Sequence, residues 1–409
     1  MLRIATYLCF VSFLLNLFSC ARENQRDILR QEGQNIAVNH VDIPVLTIDS
    51  FLTAAENVTP LKGVYLNRVV RPRYSRGQFF FFDKTDNGVS TAFYAFSQEG
   101  EGLYSIDYAN PFIGNLRYVQ DFFIHDGRLI FSAPITNRLL VFNTQGQYDT
   151  TYHEVPAGHR LHALSSDKFL FHTGSKTQHQ IGTETNHYVF NYDLGEEHVE
   201  YSFSNIPPVF ASVSLLTSPT FFPAAPKGEV LVSSSNYDTI YACTEEDYHA
   251  KYIIDWPGSQ LRAEQLADLN RKAIGGRTIP QDEELAFFNN DQFIGDITFM
   301  TETSTHLLVS YNYGGRKQYF LLFDREKEKA RSVRIDFISN PFNSRFFDHS
   351  SNDFVCFVHS APEQIAANLQ EAADFTTVPS SEKSELAVEK NPIIFTLRLP
   401  DLIDIIEKL

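Results

Sequence analysis

Four residues of one short stretch have types that could bind a zinc ion. They occur in HEVPAGHRLH, as His153, Glu154, His159 and His162. A helical zinc-protease site needs two histidines four positions apart, so that both lie on one face of the helix. Here His153 and His159 are six positions apart, and a proline and a glycine lie between them. The stretch therefore predicts a loop between strands and no metal site.

Other signatures of catalysis or cofactor binding are absent from the sequence. Asp83, Asp86 and Asn87 lack the D-x-D-x-D-G order of a calcium-binding EF-hand loop, and Asn87-Gly88 is a turn signal by itself. The sequence also has no G-x-S-x-G, no G-x-x-x-x-G-K-[ST] and no C-x-x-C. We therefore predict no cofactor. Single residues brought together from distant parts of the chain could still form a catalytic site.

Five polar residues could form such a composite site, because each lies near the start of the first strand of a repeated unit. They are Arg71, Asp121, His162, Asp296 and Arg345. Their mixed charge suits a small-molecule pocket with a few convergent polar groups. A hydrated channel would need polar residues there for structural reasons alone, so both interpretations stay open. Arg71, Arg73 and Arg76 also form a basic cluster in RPRYSRG, which we interpret as a solvated rim.

The repeated unit is clearest in FFIHDGRLIFSAPITNRLLVFNTQGQYDTTYHEV, residues 122–155, where turn signals separate four short strand patterns. A large residue ends the third strand of each unit: Phe96, Phe142, Tyr192, Tyr241, Phe323 and Leu397. These residues are 46, 50, 49, 82 and 74 positions apart. The two long intervals contain residues 259–274 and 361–375, whose apolar spacing predicts amphipathic helices. Without these insertions the period is about fifty residues.

The second strand of every unit is apolar at consecutive positions. The clearest example is QFFFFDK with Phe79–Phe82, and the others are residues 129–131, 169–171, 230–232, 307–309 and 354–358. A strand with this pattern is buried on both faces, whereas a pair of β-sandwich domains would leave one face of each strand wet. Four strands per repeat are typical of a β-propeller, in which each blade packs between two neighbours. The sequence therefore predicts an all-β fold, a six-bladed β-propeller with two helical insertions.

The termini are expected to close the ring. Val41–Ile48 has strand character and precedes the first unit. We predict that it completes the sixth blade beside the carboxy-terminal strands, so that residues 40–409 form one propeller domain. Cys243 and Cys356 lie in units four and six, and a whole blade should stand between them. Both thiols are therefore expected to be reduced, because a disulfide needs α-carbons within about 7 Å.

Residues 1–19 have the features of a secretion signal, since Arg3 precedes an apolar stretch too short for a comfortable membrane span. The stretch ends in Leu17-Phe18-Ser19-Cys20, the order of a bacterial lipobox. We expect cleavage before Cys20, acylation of its thiol, and a polar tether over residues 20–39. The expected location is the cell envelope, at the outer membrane. A simple cleaved signal followed by a chance cysteine is the alternative.

Charge and cysteine content exclude two classes of protein. Without residues 1–19 the chain has 33 basic and 50 acidic residues, a net charge of −17. Nucleic acids need a basic field, so they are excluded as partners. Cys9 leaves with the signal and Cys20 is the expected anchor, so that only two cysteines remain. Stability must therefore come from a large core and not from a disulfide framework.

The lipobox, landmarks such as FNTQG and the apolar second strands together resemble the uncharacterised six-bladed β-propeller lipoproteins of Bacteroidetes, which are similar in appearance to NHL and TolB-type propellers. The resemblance covers about Val41 to Leu399. It implies a propeller fold and an envelope location, and it brings no known reaction or catalytic residues.

Two classes of function fit these observations. The first is a non-enzymatic lipoprotein whose propeller binds an envelope protein, a glycan or a peptide, with the helical insertions as its recognition surface. The second is a hydrolase or lyase that acts on a sugar lactone or a glycan at the channel mouth, with a metal held by Asp and His. The candidates for such a metal cluster are scattered along the sequence. We therefore favour the binding scaffold and keep the enzyme as the alternative.

Replacing Cys20 with Ser tests the lipid anchor. We expect the Cys20→Ser chain to be released from the membrane fraction or to stall in processing, because only the cysteine thiol accepts the lipid. Incorporation of a labelled fatty acid and membrane fractionation measure this, with the native chain as the control. Equal labelling of both chains would show that Cys20 is not the anchor.

Overall fold

The structure is a computed structural model that describes most of residues 33–409. Residues 1–32 and many interstrand segments lie outside the described part; the longest of these segments are 108–118, 173–184, 206–219, 281–293 and 360–391. Among the described residues, no helix has the length and apolar character needed to cross a bilayer.

The strands form six separate sheets, which are the six predicted blades. Four elements precede blade 1: β1 (Gln34–Ala37), β2 (Val45–Leu46), α1 (Ile48–Thr53) and β3 (Ala55–Pro60). Blade 1 has β4 (Val69–Ser75), β5 (Gln78–Lys84), β6 (Ser90–Ser97) and β7 (Gly102–Asp107); blade 2 has β8 (Asp121–His125), β9 (Arg128–Ala133), β10 (Arg138–Asn143) and β11 (Tyr148–His153). Blade 3 has β12 (Arg160–Ala163), β13 (Lys168–His172), β14 (Thr185–Asn191) and β15 (His198–Asn205).

The second half of the chain repeats this order. Blade 4 has β16 (Thr220–Pro223), β17 (Val230–Ser233), β18 (Thr239–Cys243) and β19 (Tyr248–Asp255); blade 5 has β20 (Ile294–Glu302), β21 (His306–Tyr313), β22 (Lys317–Asp324) and β23 (Lys329–Ile335). Blade 6 has β24 (Ser344–Phe346), β26 (Phe354–His359) and β27 (Ile393–Arg398), and the short β25 (Asp348–His349) lies within its sequence. The chain then continues into α2 (Leu399–Lys408). The first strands lie side by side in a closed ring, in the order β4, β8, β12, β16, β20, β24 and back to β4.

The four phenylalanines of β5 show why its sequence does not alternate. Phe79–Phe82 are all fully buried. Phe79 and Phe81 pack with Cys356 and Val358 of blade 6, whereas Phe80 and Phe82 pack with Phe122 and Phe131 of blade 2. Successive side chains of a strand point to opposite faces, and here each face meets a different blade. The predicted burial of the second strands on both faces is confirmed.

Ring closure uses a different segment from the predicted one. The fourth strand of blade 6 is β3, which pairs antiparallel with β27, with Val58 opposite Phe395. The prediction that Val41–Ile48 closes the ring is therefore wrong. Within that segment only Val45–Leu46 is a strand, and it adds in parallel to the outer edge of blade 5. The physical reason lies at Thr47, whose side chain accepts a hydrogen bond from the N–H of Ser50 and starts helix α1.

The residues before β2 also pack against the ring. Gln34–Ala37, which we placed in the tether, form β1 and pair in parallel with β19 at the outer edge of blade 4. His40 follows, and its Nε2 lies 2.6 Å from the hydroxyl of Tyr311, with the Tyr313 ring 4.4 Å away. Residues 34–60 thus run along the outer edges of blades 4 and 5 before they complete blade 6. Burial lowers the pKa of His40 to about 4, so its neutral ring holds this segment at neutral pH.

The two predicted helical insertions have different outcomes. The described residues between 264 and 272 are helical, which agrees with the first prediction, and Leu269 is buried there. The second insertion, residues 361–375, lies outside the described residues. Helix α2 was not predicted, although its buried residues Leu399, Leu402, Ile403 and Ile406 have helical spacing. They join the same core cluster as Phe51 and Leu52 of α1.

The connections between strands differ in length on the two faces of the ring. The four strands of each blade are antiparallel and follow one another outward from the channel. The second strand therefore ends on the same face of the ring on which the third strand begins. The fourth strand also ends on that face, and the first strand of the next blade begins there. We call this the insertion face; the strand ends on it flank residues 108–120, 173–184, 206–219, 256–293 and 360–392 in the sequence. The opposite face, the turn face, has connections of only two to six residues in blades 1–5. The strand ends that flank the two predicted insertions therefore lie on the insertion face.

Both remaining cysteines are buried and free, as predicted. Cys243 lies in blade 4 and Cys356 in blade 6, so blade 5 stands between them. Burial raises the pKa of the Cys243 thiol, and it raises that of Cys356 to about 12. Both thiols are therefore protonated and unreactive in the folded chain.

Replacing Phe81 with Ala tests the packing between blades 6 and 1. We expect a loss of about 3–5 kcal/mol in unfolding free energy, because Phe81 is fully buried and its removal leaves a cavity. Guanidinium denaturation measures this. The matched control is Leu103→Ala, whose side chain is 45% exposed and should cost about 0.5 kcal/mol or less. Equal effects of the two changes would contradict the tight packing of Phe81 between blades.

Candidate functional site

The five predicted site residues all lie on the first, innermost strands of their blades. Arg71 is in β4, Asp121 begins β8, His162 is in β12, Asp296 is in β20 and Arg345 is in β24. The side chains of Asp296 and Arg345 lie outside the described part of the structure. The other three belong to adjacent blades, and their side chains influence one another electrostatically.

Asp121 is the centre of this group and is completely buried. Its carboxylate accepts hydrogen bonds from Nη2 of Arg73 at 3.2 and 3.3 Å, and Nη1 of Arg160 lies 3.7 Å away. The backbone N–H of Leu161 donates a further hydrogen bond at 3.1 Å. One carboxylate of blade 2 therefore joins the innermost strands of blades 1 and 3.

The pairing of β4 is irregular near Arg73, the residue whose side chain contacts Asp121. The pairing of β4 with β5 shifts in register between Val70 and Arg73, and Arg71 between them has a positive φ of 57°. A bulge of this kind turns the strand and redirects its side chains. The Arg73 guanidinium then lies over the rings of Phe122 and Phe123, 5.0 and 5.2 Å from their centroids. Cation–π contacts thus add to its ion pair.

The arginines keep Asp121 ionised. Burial by itself would raise the pKa of its carboxyl, but Arg73, Arg160 and Arg71 outweigh burial and hold the pKa below the usual value for aspartate. The hydrogen bond from the N–H of Leu161 acts in the same direction. Asp121 is therefore an unsuitable proton donor at neutral pH, and its oxygens are occupied by cationic neighbours.

His162 is neutral for a related reason. Burial, followed by the charge of Arg73, lowers the pKa of His162 to about 3. Its Nδ1 lies 2.8 Å from the carbonyl oxygen of Ala163, so Nδ1–H donates there, and the ring packs on Phe123 at 4.1 Å. Within the described part of the chain, Nε2 has no hydrogen-bond partner. It is a weak base with a lone pair enclosed by the fold.

The channel beside this cluster is crossed by backbone. The short strand β25 pairs in parallel with β4, with Asp348 opposite Arg73 and His349 opposite Tyr74. The same strand lies close to β16, the innermost strand of blade 4. Blade 1 and blade 4 stand on opposite sides of a six-membered ring. Residues 348–349 therefore span the channel at this level.

Two residues of the cluster were missed or misread in the sequence. Arg73 was interpreted as part of a solvated rim with Arg71 and Arg76, but it is buried and paired with Asp121. Arg76 is exposed at the β4–β5 turn. Arg160 was not singled out, although it begins the same strand as His162. The sequence did contain a signal for this ion pair. Arg160 begins the innermost strand of blade 3, and Asp121 begins the innermost strand of the neighbouring blade 2.

Comparison with known proteins identifies the fold. A family model, DUF5128, described as a 6-bladed beta-propeller, matches residues 63–352. No curated protein matches the chain in sequence. An exported protein from Bacteroides fragilis has a similar structure, with a TM-score of 0.62, 14% identity, and coverage of 89% of this chain and 99% of that chain.

Two further solved structures are more distant. A DUF4221 member from Bacteroides vulgatus has a TM-score of 0.46 at 9% identity and covers 84% of this chain and 96% of its own. BamB from Moraxella catarrhalis has a TM-score of 0.39 at 10% identity and covers 75% of this chain and 86% of its own. At these identities the likeness concerns the fold alone.

Replacing Asp121 with Asn tests the role of the ion cluster. We expect a loss of about 3–5 kcal/mol in unfolding free energy, because the buried guanidinium groups of Arg73 and Arg160 would lose the carboxylate that lies beside both of them. Because the folded pKa of Asp121 is lowered, its contribution is present above the unfolded pKa of about 4 and disappears as the pH falls through the folded pKa. The gap between native chain and variant should therefore shrink in acid.

The control for this experiment is Asp149→Asn in the same blade. Asp149 lies 3.8 Å from Arg128, and both side chains are about half exposed. An exposed pair of this kind is worth about 0–1 kcal/mol. Denaturation of both variants at pH 7 and at lower pH gives the comparison. A variant at position 121 as stable as the control would mean that the cluster does not hold blades 1–3 together.

Proposed function

We propose that this chain, which belongs to the DUF5128 family of six-bladed β-propellers, is a lipid-anchored binding scaffold of the cell envelope. In this proposal the insertion face binds the partner, and the ring serves as a rigid support. The partner is an envelope protein, a peptide or a glycan.

The observation that carries the proposal is the asymmetry of the two faces. All sequence intervals longer than eight residues between consecutive strands of the ring begin and end at the insertion face, including 256–293 and 360–392. A propeller needs only short turns to connect its strands, as the turn face demonstrates. Long connections on a rigid frame are where binding proteins place their recognition surfaces.

The innermost strands favour binding over catalysis. Asp121 is held ionised by buried arginines, and His162 is neutral and enclosed. Neither group suits proton transfer near neutral pH, where a general acid or base needs a pKa close to that of the medium. The crossing of the channel by β25 also occupies the place where a substrate would meet these residues. These features count against a hydrolase or lyase that uses Asp121 and His162.

The proposed location has two supports. The sequence Leu17-Phe18-Ser19-Cys20 has the order of a lipobox, so the thiol of Cys20 is the proposed lipid attachment site. The similar structure with a TM-score above 0.5 is of a protein described as exported, and we extend that description to this chain as part of the proposal. The outer membrane is the proposed membrane.

Site-specific crosslinking tests which face binds a partner. A photoreactive amino acid replaces Lys317, which is exposed at the start of β22 on the insertion face, or Glu326, which is exposed in the β22–β23 turn on the turn face. We expect a discrete adduct in intact cells from position 317 and none from the matched position 326. Mass spectrometry of the adduct identifies the partner.

Two outcomes would contradict the proposal. Adducts confined to position 326, or absent from both positions, would exclude the insertion face as the binding surface. Turnover of a lactone or glycan by the purified native chain, together with the absence of an adduct at position 317, would establish the enzymatic alternative instead.

A further inference from the structure

Three side chains with metal-binding atoms converge on the turn face of blade 5. His306 begins β21, Asp324 ends β22, and these two residues are directly opposite each other in the sheet. Glu407 lies in the last turn of α2, which packs against this blade. The group lies far along the chain from the Asp121 cluster and contains none of the residues discussed for the channel.

The distances suit a small divalent cation. His306 Nε2 lies 3.4 Å from Glu407 Oε1 and 4.0 Å from Asp324 Oδ2. All three ligand atoms lie within 4.8 Å of one another. Zinc binds nitrogen and oxygen at about 2.0–2.2 Å, so neighbouring ligands of a tetrahedral site are roughly 3.3–3.6 Å apart. Small side-chain rotations would bring these three atoms to that geometry.

Neighbouring groups orient two of the three ligands. Without a metal, His306 Nε2–H donates to Glu407 Oε1 at 3.4 Å. His306 Nδ1 lies 2.9 Å from the hydroxyl of Thr305, so when an ion replaces the proton on Nε2, Nδ1–H can donate to that hydroxyl. Metal-bound histidines commonly have such a partner on the second nitrogen. Asp324 Oδ1 accepts the backbone N–H groups of Glu326 and Lys327 at 3.0 and 2.9 Å, which leaves Oδ2 directed at the site.

The third ligand is fixed through the end of the helix. Arg331 Nη1 donates to the carbonyl oxygens of Glu407 and Ile406 at 2.6 and 3.3 Å. This contact holds the last turn of α2 against β23. The carboxyl end of a helix carries partial negative charge, which favours a cation beside it.

One competing cation is already present. Lys327 Nζ lies 2.6 Å from Asp324 Oδ2, and the lysine side chain is two-thirds exposed. The Asp324 side chain is only 13% exposed, but the lysine lies at the surface and can turn its ammonium group into solvent. A divalent ion that gains a second carboxylate and an imidazole can therefore displace it.

We propose that His306, Asp324 and Glu407 bind one divalent transition-metal ion of the zinc class. The imidazole ligand favours such an ion over magnesium or calcium, which prefer oxygen ligands. Three protein ligands leave a fourth position for water. The ion joins the carboxy-terminal helix to blade 5 and thereby ties α2 to the ring.

Titration of the full-length chain with ZnCl₂ tests the site. The chain is purified in detergent, freed of metal with EDTA and titrated by calorimetry. We expect one equivalent to bind, and we expect His306→Gln and Glu407→Gln each to weaken binding at least tenfold. CoCl₂ gives a second readout, because a tetrahedral cobalt site produces a visible absorption band that both variants should lose.

Two further variants separate a metal site from an ordinary ion cluster. Lys327→Met removes the competing ammonium and should strengthen zinc binding several-fold, which a purely structural role of Asp324 does not predict. Asp404→Asn, in the same helix and paired with Lys408, should leave zinc binding unchanged. The proposal is overturned if the metal-free native chain binds no zinc at millimolar concentration, or if His306→Gln binds zinc as well as the native chain.

Discussion

No blade of this protein can bury its own apolar surface, and the rest of the structure depends on that constraint. The second strands are apolar on both faces, and Phe79–Phe82 show the consequence, since alternate rings reach into blades 6 and 2. Each fully buried aromatic side chain contributes about 1.5–3 kcal/mol, but only when the neighbouring blade is in place. The ring must therefore be complete before every blade is buried on both faces, and stability depends on its closure.

The ring is closed by strands from both ends of the propeller sequence. Strand β3 completes blade 6, and the residues before it lie along the outer edges of blades 4 and 5. Helix α2 follows directly on β27 and shares one core cluster with α1. The four antiparallel strands of each of blades 1–5 follow one another in sequence, and only blade 6 takes one of its four from the other end of the propeller sequence. Sequence-distant pairing at this point removes the two exposed edges that an open array would leave.

Buried charges reinforce the contacts between blades. Asp121 links blades 1, 2 and 3 through two arginines and a backbone N–H. Glu302 at the end of β20 has a similar position between blades 4 and 5, where it accepts from Tyr252 at 2.8 Å and pairs with Lys251 and Arg325 at 2.7 and 2.9 Å. A buried carboxylate with several cationic partners is oriented and has little freedom to react. The ring is therefore a rigid support, and the long intervals between its strands begin and end at the insertion face.

The sequence by itself determined the repeat, the blade count and the buried second strands, because each follows from a local pattern of two-sided apolar strands separated by turns. It also placed the five candidate residues on the innermost strands, and a helix within residues 259–274, where the described residues between 264 and 272 are helical. It did not determine which segment closes the ring. Val41–Ile48 has the clearer strand pattern, but the cap at Thr47 starts a helix there and the closing strand is Ala55–Pro60. Arg73 and Arg160 around Asp121, and Glu407 beside His306, are separated by many tens of residues along the chain. These residues are in contact only because the ring brings distant strands and a terminal helix together. A local sequence pattern therefore could not predict the contacts.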